Sequence, residues 1–378
     1  MKFLHTGDLH IGKTVNEFSL IEDQRYFLKQ IAALAAAEKV DAVVIAGDVY
    51  DRSIPSAEAV TVLDEFLSEL IALRVPVLMI SGNHDSPERV GFADAILEKQ
   101  GLYIASTPEK GAKKVTLSDA YGTVHFLLMP YVKPAVMEAR NNQEAVEKML
   151  QQFQEPDLSK ERNVLVTHYF VTNAGLPPEV SDSETTVNVG GLDNVEAETF
   201  RGFDYVALGH IHKPQQIGDR PVYYSGTPIK YSFSEVNQEK GINLITLGEK
   251  GCCTVERREI KPLHDMRKIT GHLEELIKPE IVSLAEQEDY IQATLLNEEE
   301  LIDPIGTLRS VYPNTMQLIL KKNEIAGTSI DVGNIQRSKS MLELYKDFYE
   351  IVREEELKDE RLEVIVQTIR ETEGGENV

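Results

Sequence analysis

Carboxylate, amide and imidazole side chains follow five short apolar stretches of the chain, at residues 2–6, 41–46, 76–81, 164–168 and 204–208. These side chains belong to Asp8, His10, Asp48, Asn83, His84, Asp85, His168, His210 and His212. Each apolar stretch has the length and composition of a buried strand. Because ligands of open α/β sheets bind where the carboxyl ends of the strands meet, we expect these side chains to converge. The sequence therefore predicts a metal site at one edge of a sheet.

The ligand types at this predicted site indicate the chemistry. Oxygen and imidazole ligands without thiolate favour Mn²⁺ or Fe²⁺ over a structural zinc ion. Two such cations roughly 3.5–4 Å apart, sharing Asp48, would polarise a phosphoryl group and generate hydroxide from bound water. His84 is then available to protonate the leaving oxygen, with Asp85 orienting it. Single motifs of this kind are common by chance, but five in this order predict a phosphoesterase.

One competing motif lies in the same region. Residues 7–14 match the phosphate-cradling pattern G-x-x-x-x-G-K-[ST], and residues 43–48 resemble the strand whose Asp supports Mg²⁺. Asp8 would place a negative charge in a loop that should bind anions. The predicted helix starts near Asp23, whereas the motif requires a helix at Lys13. ATP binding by this chain is therefore a weaker alternative.

The first two-thirds of the sequence alternates strands and helices, which predicts a layered α/β domain over residues 1–262. We expect Asp23 to cap one helix and Ser56 to cap the next. The helix predicted over residues 56–73 has an apolar face wider than packing on a sheet requires. That surplus surface is available for a dimer contact.

The composition limits the partners and the compartment. The chain has 378 residues, 42% of them hydrophobic, and a formal net charge of −23. This acidity argues against coating nucleic acid by bulk charge, so any DNA-binding surface must be local. The adjacent Cys252 and Cys253 suit a reducing compartment better than a crosslink. No apolar run is long enough to span a bilayer, and we expect a cytoplasmic protein without membrane contact.

The last third of the chain has a different pattern. Residues 263–322 read as a small α/β cap domain, with strands near 290–296 and 315–320 and a short helix between them. Residues 323–339 read as a linker rich in Gly, Ser and Asn. Residues 340–378 begin with a capping box and predict a pair of amphipathic helices. Behind a flexible linker, such helices are suited to docking a partner helix.

The motifs around residues 47–51, 81–86, 209–214 and 225–235 resemble the calcineurin-like metallophosphoesterases, and more narrowly the family of bacterial SbcD nuclease subunits. The resemblance runs over nearly the whole chain. It implies a metallophosphoesterase β-sandwich flanked by helices, with a small α/β cap and C-terminal helices. It also implies two metal sites and a catalytic His84. One site would use Asp8, His10, Asp48 and His212, and the other Asp48, Asn83, His168 and His210.

The same resemblance implies an activity and partners. The activity is 3'-5' exonuclease cleavage of double-stranded DNA, with endonuclease cleavage of single strands and hairpins, in repair, recombination and replication. The partners are DNA, a second copy of the chain and an SbcC-type coiled-coil ATPase, through which ATP would act. Arg52, Arg89 and Lys230 lie beside the metal motifs and are candidate phosphate contacts. Asp51 replaces a histidine of archaeal relatives, which leaves its role open.

Two other functions remain open from the residues. A stand-alone phosphodiesterase or phosphatase for a small nucleotide or a phosphoprotein would use the same metal site. It would not need the cap, the linker or the terminal helices. A non-catalytic scaffold is disfavoured because every ligand type is present.

Overall fold

The computed structural model describes residues 1–107, 113–152, 158, 160–184, 193–299, 301–321, 349 and 362. The chain divides into two compact units, Met1–Lys321 and Lys322–Val378. The predicted linker at 323–339 and the predicted helix pair at 340–378 belong to the second unit. Apart from positions 349 and 362, they lie outside the described residues.

The first sheet contains the amino-terminal strand and, among the described residues, six strands in the order β16-β15-β1-β4-β5-β6. These are β1 (Lys2–Thr6), β4 (Ala42–Ala46), β5 (Val77–Ile80), β6 (Leu102–Ala105), β15 (Gly241–Leu247) and β16 (Cys253–Glu259). Strands β1, β4, β5 and β6 are parallel, whereas β15 runs antiparallel to both β1 and β16. The parallel strands therefore end at one edge, as the sequence predicts.

The second sheet has the order β13-β14-β12-β9-β8-β7 within the described part of the chain. Its strands are β7 (Lys113–Asp119), β8 (Gly122–Leu128), β9 (Arg162–His168), β12 (Tyr205–Gly209), β13 (Gln215–Gln216) and β14 (Val222–Tyr224). Strands β8, β9, β12 and β14 are parallel. Short pairs form beside the sheets, β2 (Thr14–Val15) with β3 (Phe18–Ser19) and β10 (Phe170–Thr172) with β11 (Asn194–Glu196).

The two sheets pack face to face, and helices cover their outer faces. Alternate residues of β4 point to opposite sides, so Val44 joins the core between the sheets while Val43 packs under the helices. Phe3 and Phe126 meet edge to face across the sheets, with ring centroids 5.3 Å apart. Strands buried on both faces need continuous apolar runs, and this explains the composition of the five stretches. The predicted layered α/β sandwich is confirmed.

The described helices are α1 (Ile21–Glu38), α2 (Ala57–Ala72), α3 (Pro87–Val90), α4 (Asp94–Leu97), α5 (Asn142–Gln152), α6 (Leu273–Leu276), α7 (Pro279–Val282) and α8 (Pro304–Arg309). Ser56 caps α2 as predicted, accepting a hydrogen bond from the Ala59 amide at 3.1 Å. The prediction that Asp23 is a cap is wrong. Helix α1 begins earlier, after Leu20. Within the described residues, no helix has the length and apolarity to cross a membrane.

Asp23 is instead a buried acceptor for the last third of the described chain. Its carboxylate accepts hydrogen bonds from the Tyr290 hydroxyl at 2.7 Å and the His264 amide at 3.0 Å. Strands β17 (Met266–Gly271), β18 (Tyr290–Leu295) and β19 (Thr315–Leu320) form a parallel sheet here. Strands near 290–296 and 315–320 were predicted, and β17 was not. The division at residue 263 stays a prediction.

Candidate metal centre

The carboxyl ends of five strands bring the predicted ligands together. Strands β1, β4 and β5 of the first sheet lead to Asp8, Asp48 and Asn83, and strands β9 and β12 of the second lead to His168 and His210. The loops after β1 and β4 are joined by backbone hydrogen bonds. The Asp8 amide donates to the Gly47 carbonyl, and the His10 amide donates to the Asp48 carbonyl, both at 3.0 Å. The sandwich thus aligns the two sheets at one metal-binding edge.

Four of the predicted ligands have left-handed backbone conformations. The φ angles are 52° at Asp8, 44° at His10, 47° at Asp48 and 101° at His210. A residue with a Cβ pays roughly 1–2 kcal/mol for this conformation, so it persists only where the surroundings enforce it. Such strain is typical of functional sites. Here the loop after β1 directs both Asp8 and His10 toward His212.

Asp8, His10 and His212 form the first donor group, with one ligand atom from each within 4.8 Å of the others. The Nε2 atoms of His10 and His212 lie 3.2 Å apart. Burial lowers the pKa of His10 to about 3 and lowers the pKa of His212 well below its usual value. Both imidazoles are therefore neutral near pH 7. Two neutral, close and buried imidazoles provide lone pairs for a cation.

The second donor group surrounds the amide oxygen of Asn83. This oxygen lies 3.0 Å from His168 Nε2 and 2.9 Å from His210 Nδ1. His168 Nδ1 donates to the Ala46 carbonyl at 2.8 Å, which leaves Nε2 for the site. Burial opposes charge on His168, but Asp48 and Asp8 outweigh burial and raise its pKa to about 9. A cation at this point would replace that proton.

Asp48 lies between the two groups. Its Oδ2 atom is 3.7 Å from His10 Nε2 and 3.3 Å from His168 Nε2, and its Oδ1 accepts from the His84 amide at 2.9 Å. Burial alone would raise the pKa of Asp48, but the nearby His168, His10 and His84 outweigh burial and hold the pKa below its usual range. An ionised carboxylate at the centre suits a ligand shared by two cations.

Asp8 provides an independent test of the metal interpretation. Its Oδ1 accepts from the His210 amide at 2.8 Å, while its buried Oδ2 has no hydrogen-bond partner among the described residues. A buried carboxylate oxygen without a partner is costly unless another group completes it. Asp8 also shares a second close group with Asp48 and His168. The residues present therefore fit two divalent cations.

His84 lies at the rim of this centre, half-buried, with its ring centroid 4.9 Å from that of His10. Its Nδ1 is 3.1 Å from the Asp51 carbonyl oxygen, to which it donates when protonated there. The prediction that Asp85 orients His84 is wrong. The Asp85 carboxylate accepts from the amides of Val49, Tyr50 and Gly82 at 2.9–3.1 Å.

Asp85 therefore holds two loops together, while Asp51 takes the position expected of Asp85. The Asp51 carboxylate also lies 3.5 Å from His10 Nδ1 and 2.9 Å from Lys13 Nζ. Lys13 is thus paired with the Asp51 carboxylate inside the site. The helix that a nucleotide-binding loop requires does not follow Lys13. Strand β2 starts at Thr14, and α1 begins only at Ile21. These observations weigh against ATP binding by residues 7–14.

The three predicted phosphate contacts have different surroundings. Arg52 and Arg89 are exposed beside the site, and Arg52 Nε is 3.8 Å from Asp51. Lys230 is largely buried, and its ammonium group pairs with Asp265 at 2.8 Å. A phosphate would have to compete with Asp265 for this ammonium group. Lys230 stays a predicted DNA contact, and its ion pair distinguishes it from the two exposed arginines.

Sequence reasoning missed the residues that hold His212 from behind. The His212 amide donates to Glu184 Oε1 at 2.6 Å, and the Ser183 hydroxyl lies 2.7 Å from His212 Nδ1. Burial raises the pKa of Glu184 to about 7. Ser183 in turn donates to the Glu235 carboxylate. In the sequence, Ser183 and Glu184 lie in a long polar stretch that follows His168, and Glu235 ends the 225–235 motif. Neither position identifies a contact.

Comparisons with known proteins identify the family of the chain. Residues 1–214, more than half of the chain, match the calcineurin-like phosphoesterases. The chain therefore belongs to that family, whose fold implies divalent metals. Residues 262–353 match the family described as the Type 5 capsule protein repressor C-terminal domain.

The chain is 35% identical over 328 residues to the D subunit of the nuclease SbcCD from Staphylococcus epidermidis, covering 84% of this chain and 85% of that protein. This confirms the predicted family. A dimetal phosphatase from Danio rerio is 14% identical, with a TM-score of 0.41 over 69% of this chain and 96% of that one. The protein TT1561 of Thermus thermophilus is 14% identical, with a TM-score of 0.42 over 69% and 99%. The family assignment depends on the sequence matches.

Proposed function

We propose that this chain is the metal-dependent DNA nuclease subunit of an SbcCD-type complex. Its reactions would be 3'-5' exonuclease cleavage of double strands and endonuclease cleavage of single strands and hairpins. The observation that carries the proposal is the position of Asp48 Oδ2, 3.7 Å from His10 Nε2 and 3.3 Å from His168 Nε2, between two donor groups. The similarity to the staphylococcal SbcCD nuclease supplies the substrate class.

Two cations bound here would polarise the scissile phosphoryl group and lower the pKa of a bound water. One would be held by Asp8, His10, Asp48 and His212, and the other by Asp48, Asn83, His168 and His210. Oxygen and imidazole donors without thiolate favour Mn²⁺, with Mg²⁺ or Fe²⁺ as alternatives.

His84 is the proposed general acid. Its Nδ1 is engaged by the Asp51 carbonyl, which leaves Nε2 to transfer a proton to the departing oxygen. Asp85 supports this arrangement indirectly, because its carboxylate ties the loop after β4 to the loop before His84. The proposed phosphate contacts are the exposed Arg52 and Arg89 and the ion-paired Lys230.

The proposed partners are DNA, an SbcC-type ATPase and a second copy of this chain, in the cytoplasm. The ATPase would dock on residues 340–378, and ATP would act only through it. The homodimer is supported by exposed apolar side chains on and beside α2, at Ile54, Val60 and Phe92. We also retain the proposed division into a nuclease domain (1–262), a cap (263–322) and a linker (323–339).

The decisive experiment is cleavage of a labelled DNA hairpin and a linear duplex by the purified chain with Mn²⁺. Asp48→Ala removes the central carboxylate and should abolish cutting. Asp64→Ala removes an exposed carboxylate from α2 and is the matched control, which should cut as the wild type does. Wild-type cutting that survives in Asp48→Ala would contradict the proposed site.

The same preparation discriminates between the alternatives. Hydrolysis of a small phosphodiester without any cutting of DNA, even after the ATPase partner is added, would favour the stand-alone phosphodiesterase. A metal-loaded chain that hydrolyses no phosphodiester would indicate a scaffold. If the wild-type chain binds ATP and Lys13→Ala does not, residues 7–14 would be supported as a nucleotide-binding loop.

A further inference from the structure

His212 is held at three separate points by side chains that do not belong to the proposed ligand set. Its amide donates to Glu184 at 2.6 Å, its carbonyl accepts from Lys240 Nζ at 2.9 Å, and its Nδ1 lies 2.7 Å from the Ser183 hydroxyl. The imidazole of His212 is buried. Contacts that fix the backbone and one ring nitrogen leave Nε2 as the ring nitrogen that is available to the site.

The direction of the Ser183 hydrogen bonds determines which ring nitrogen of His212 carries the hydrogen. The Ser183 hydroxyl donates its single hydrogen to Glu235 Oε1. It can therefore meet His212 Nδ1 only as an acceptor, which requires a hydrogen on Nδ1. Neutral His212 then has its lone pair on Nε2, the atom that lies 3.2 Å from His10 Nε2.

Glu235 is fixed as an acceptor by a buried ion pair. Its side chain is inaccessible to solvent, and its Oε2 lies 2.6 Å from Lys240 Nζ. Lys240 also donates to the Thr227 hydroxyl at 2.8 Å and to the His212 carbonyl. A buried charge pair with every lysine hydrogen used is rigid, because breaking it would leave a charge without a partner. One lysine thus holds both ends of the Glu235–Ser183–His212 chain.

The alternative tautomer would block metal binding. With the hydrogen on Nε2, His212 could donate to His10 Nε2 across 3.2 Å and close the first donor group with a hydrogen bond. Partners of a ligand's other nitrogen commonly set its tautomer, and their loss typically costs about 10–100-fold in metal affinity. In this site, a hydrogen held on Nδ1 of His212 prevents the competing hydrogen bond from His212 to His10.

We infer that Ser183 and Glu235 are positioning residues that keep His212 in the metal-binding tautomer. This inference rests on the proposed function, because it assigns His212 to the first metal site. Ser183 lies in the loop that leaves His168, so the same loop would connect the two proposed metal sites.

Two measurements test the inference in the full-length chain. Nitrogen NMR of ¹⁵N-histidine-labelled, metal-free protein reports directly which nitrogen of His212 is protonated. We expect Nδ1 in the wild type and a shift toward Nε2 in Ser183→Ala. Titration with Mn²⁺ should then show one of two sites weakened by about 10–100-fold in Ser183→Ala and the other unchanged. Ser183→Thr keeps the hydroxyl and should restore both results.

Ser181→Ala is the matched control. Ser181 lies in the same loop and its hydroxyl accepts from Gln238 at 3.0 Å, whereas the hydroxyl that meets His212 belongs to Ser183. Ser181→Ala tests whether loosening the loop is enough to lower the affinity for Mn²⁺. Equal weakening in Ser181→Ala, or a hydrogen on Nε2 in the wild type, would overturn the inference. A wild-type chain that binds no Mn²⁺ would instead defeat the proposed function, while the NMR result would still decide the tautomer.

Discussion

His84 is set apart from the ligands by its contacts rather than by its residue type. Its Nδ1 meets the Asp51 carbonyl and its amide meets Asp48. The ligand histidines instead direct a ring nitrogen at one another, at Asp48 or at the Asn83 amide oxygen. We therefore expect His84→Ala to keep two Mn²⁺ ions and to lose turnover by roughly 10²–10⁴-fold, the usual contribution of a general acid. Metal stoichiometry and single-turnover DNA cleavage measure the two effects separately.

The exposed His272 provides the control for this substitution, since it lies far along the chain at the start of α6. His272→Ala should retain both metal and turnover. A His84→Ala variant that cuts at the wild-type rate would remove His84 from the mechanism. Loss of metal in that variant would make His84 a ligand.

Gly82 shows how closely the loops approach at the site. A Cβ built on Gly82 would lie 2.1 Å from Asp48 Oδ1 and 2.4 Å from the Asp48 amide nitrogen. No real Cβ contact is that short, so Gly82→Ala must displace the central carboxylate. We expect the variant to lose high-affinity Mn²⁺ binding, as followed by calorimetric titration.

Gly7→Ala is the matched control, because its added methyl would lie at ordinary contact distance, 3.4 Å from Ala46 Cβ. It should bind metal as the wild type does. Binding of two Mn²⁺ ions by Gly82→Ala with unchanged affinity would mean that Asp48 can move without consequence. The proposed central position of Asp48 would then be wrong.

Residue types and spacing were sufficient to predict which side chains converge but not their supporting partners. Every predicted ligand lies where its strand ends, because buried strands have a strong and local sequence signal. The orientation of His84 was assigned to Asp85, its neighbour in sequence, whereas the structure uses the carbonyl of Asp51. Every residue has a backbone carbonyl, so residue type could not predict this contact. Residue type likewise did not predict the ion pair of Lys230, since its partner Asp265 lies 35 positions away.

At the scale of elements, the cap of α2 was predicted correctly because it depends on residues close together in the sequence. The Ser56 hydroxyl accepts from the Ala59 amide at 3.1 Å, and such a cap contributes about 1 kcal/mol. Ser56→Ala should therefore lower the free energy of unfolding by about that amount, measured by urea denaturation. Ser68→Ala, at an exposed position inside α2, should not destabilise the chain. Equal unfolding midpoints for Ser56→Ala and the wild type would contradict the capping role.

Other element predictions failed where tertiary contacts decide. The family resemblance implies one helix over residues 88–99 as part of a dimer contact, but the structure divides this segment into α3 and α4, with Ala93 between them at a φ of 59°. Asp23 has a good capping residue type, but its carboxylate is used by His264 and Tyr290, more than 200 positions away. Contacts between residues so far apart cannot be predicted from the neighbouring residues of either one. Strand β17 was not predicted because, within the described residues, it pairs only with the distant β18.

At the scale of the whole molecule, two sheets are needed to complete one site. Asp8, Asp48 and Asn83 follow strands of the first sheet, and His168 and His210 follow strands of the second. Neither sheet alone carries both donor groups. The apolar core between the sheets therefore determines the distances between the ligands, and strain in the ligand loops is balanced by that packing. This arrangement explains why the convergence of side chains far apart in sequence could be predicted from their strand ends.

An exposed apolar surface lies beside α2 and is not covered by any other part of the described chain. Phe92 is 79% exposed and Val60 is 46% exposed, and Tyr50, Pro55 and Arg89 line the groove between them. Contiguous apolar side chains of this kind favour a subunit contact, and we expect the purified chain to be a dimer by light scattering. Phe92→Glu would place a charge in that contact and should yield monomers that still bind two Mn²⁺ ions. Leu284→Glu, which alters an equally exposed apolar residue at 77% exposure, should leave the dimer intact. A Phe92→Glu variant that remains dimeric would assign the contact to another surface.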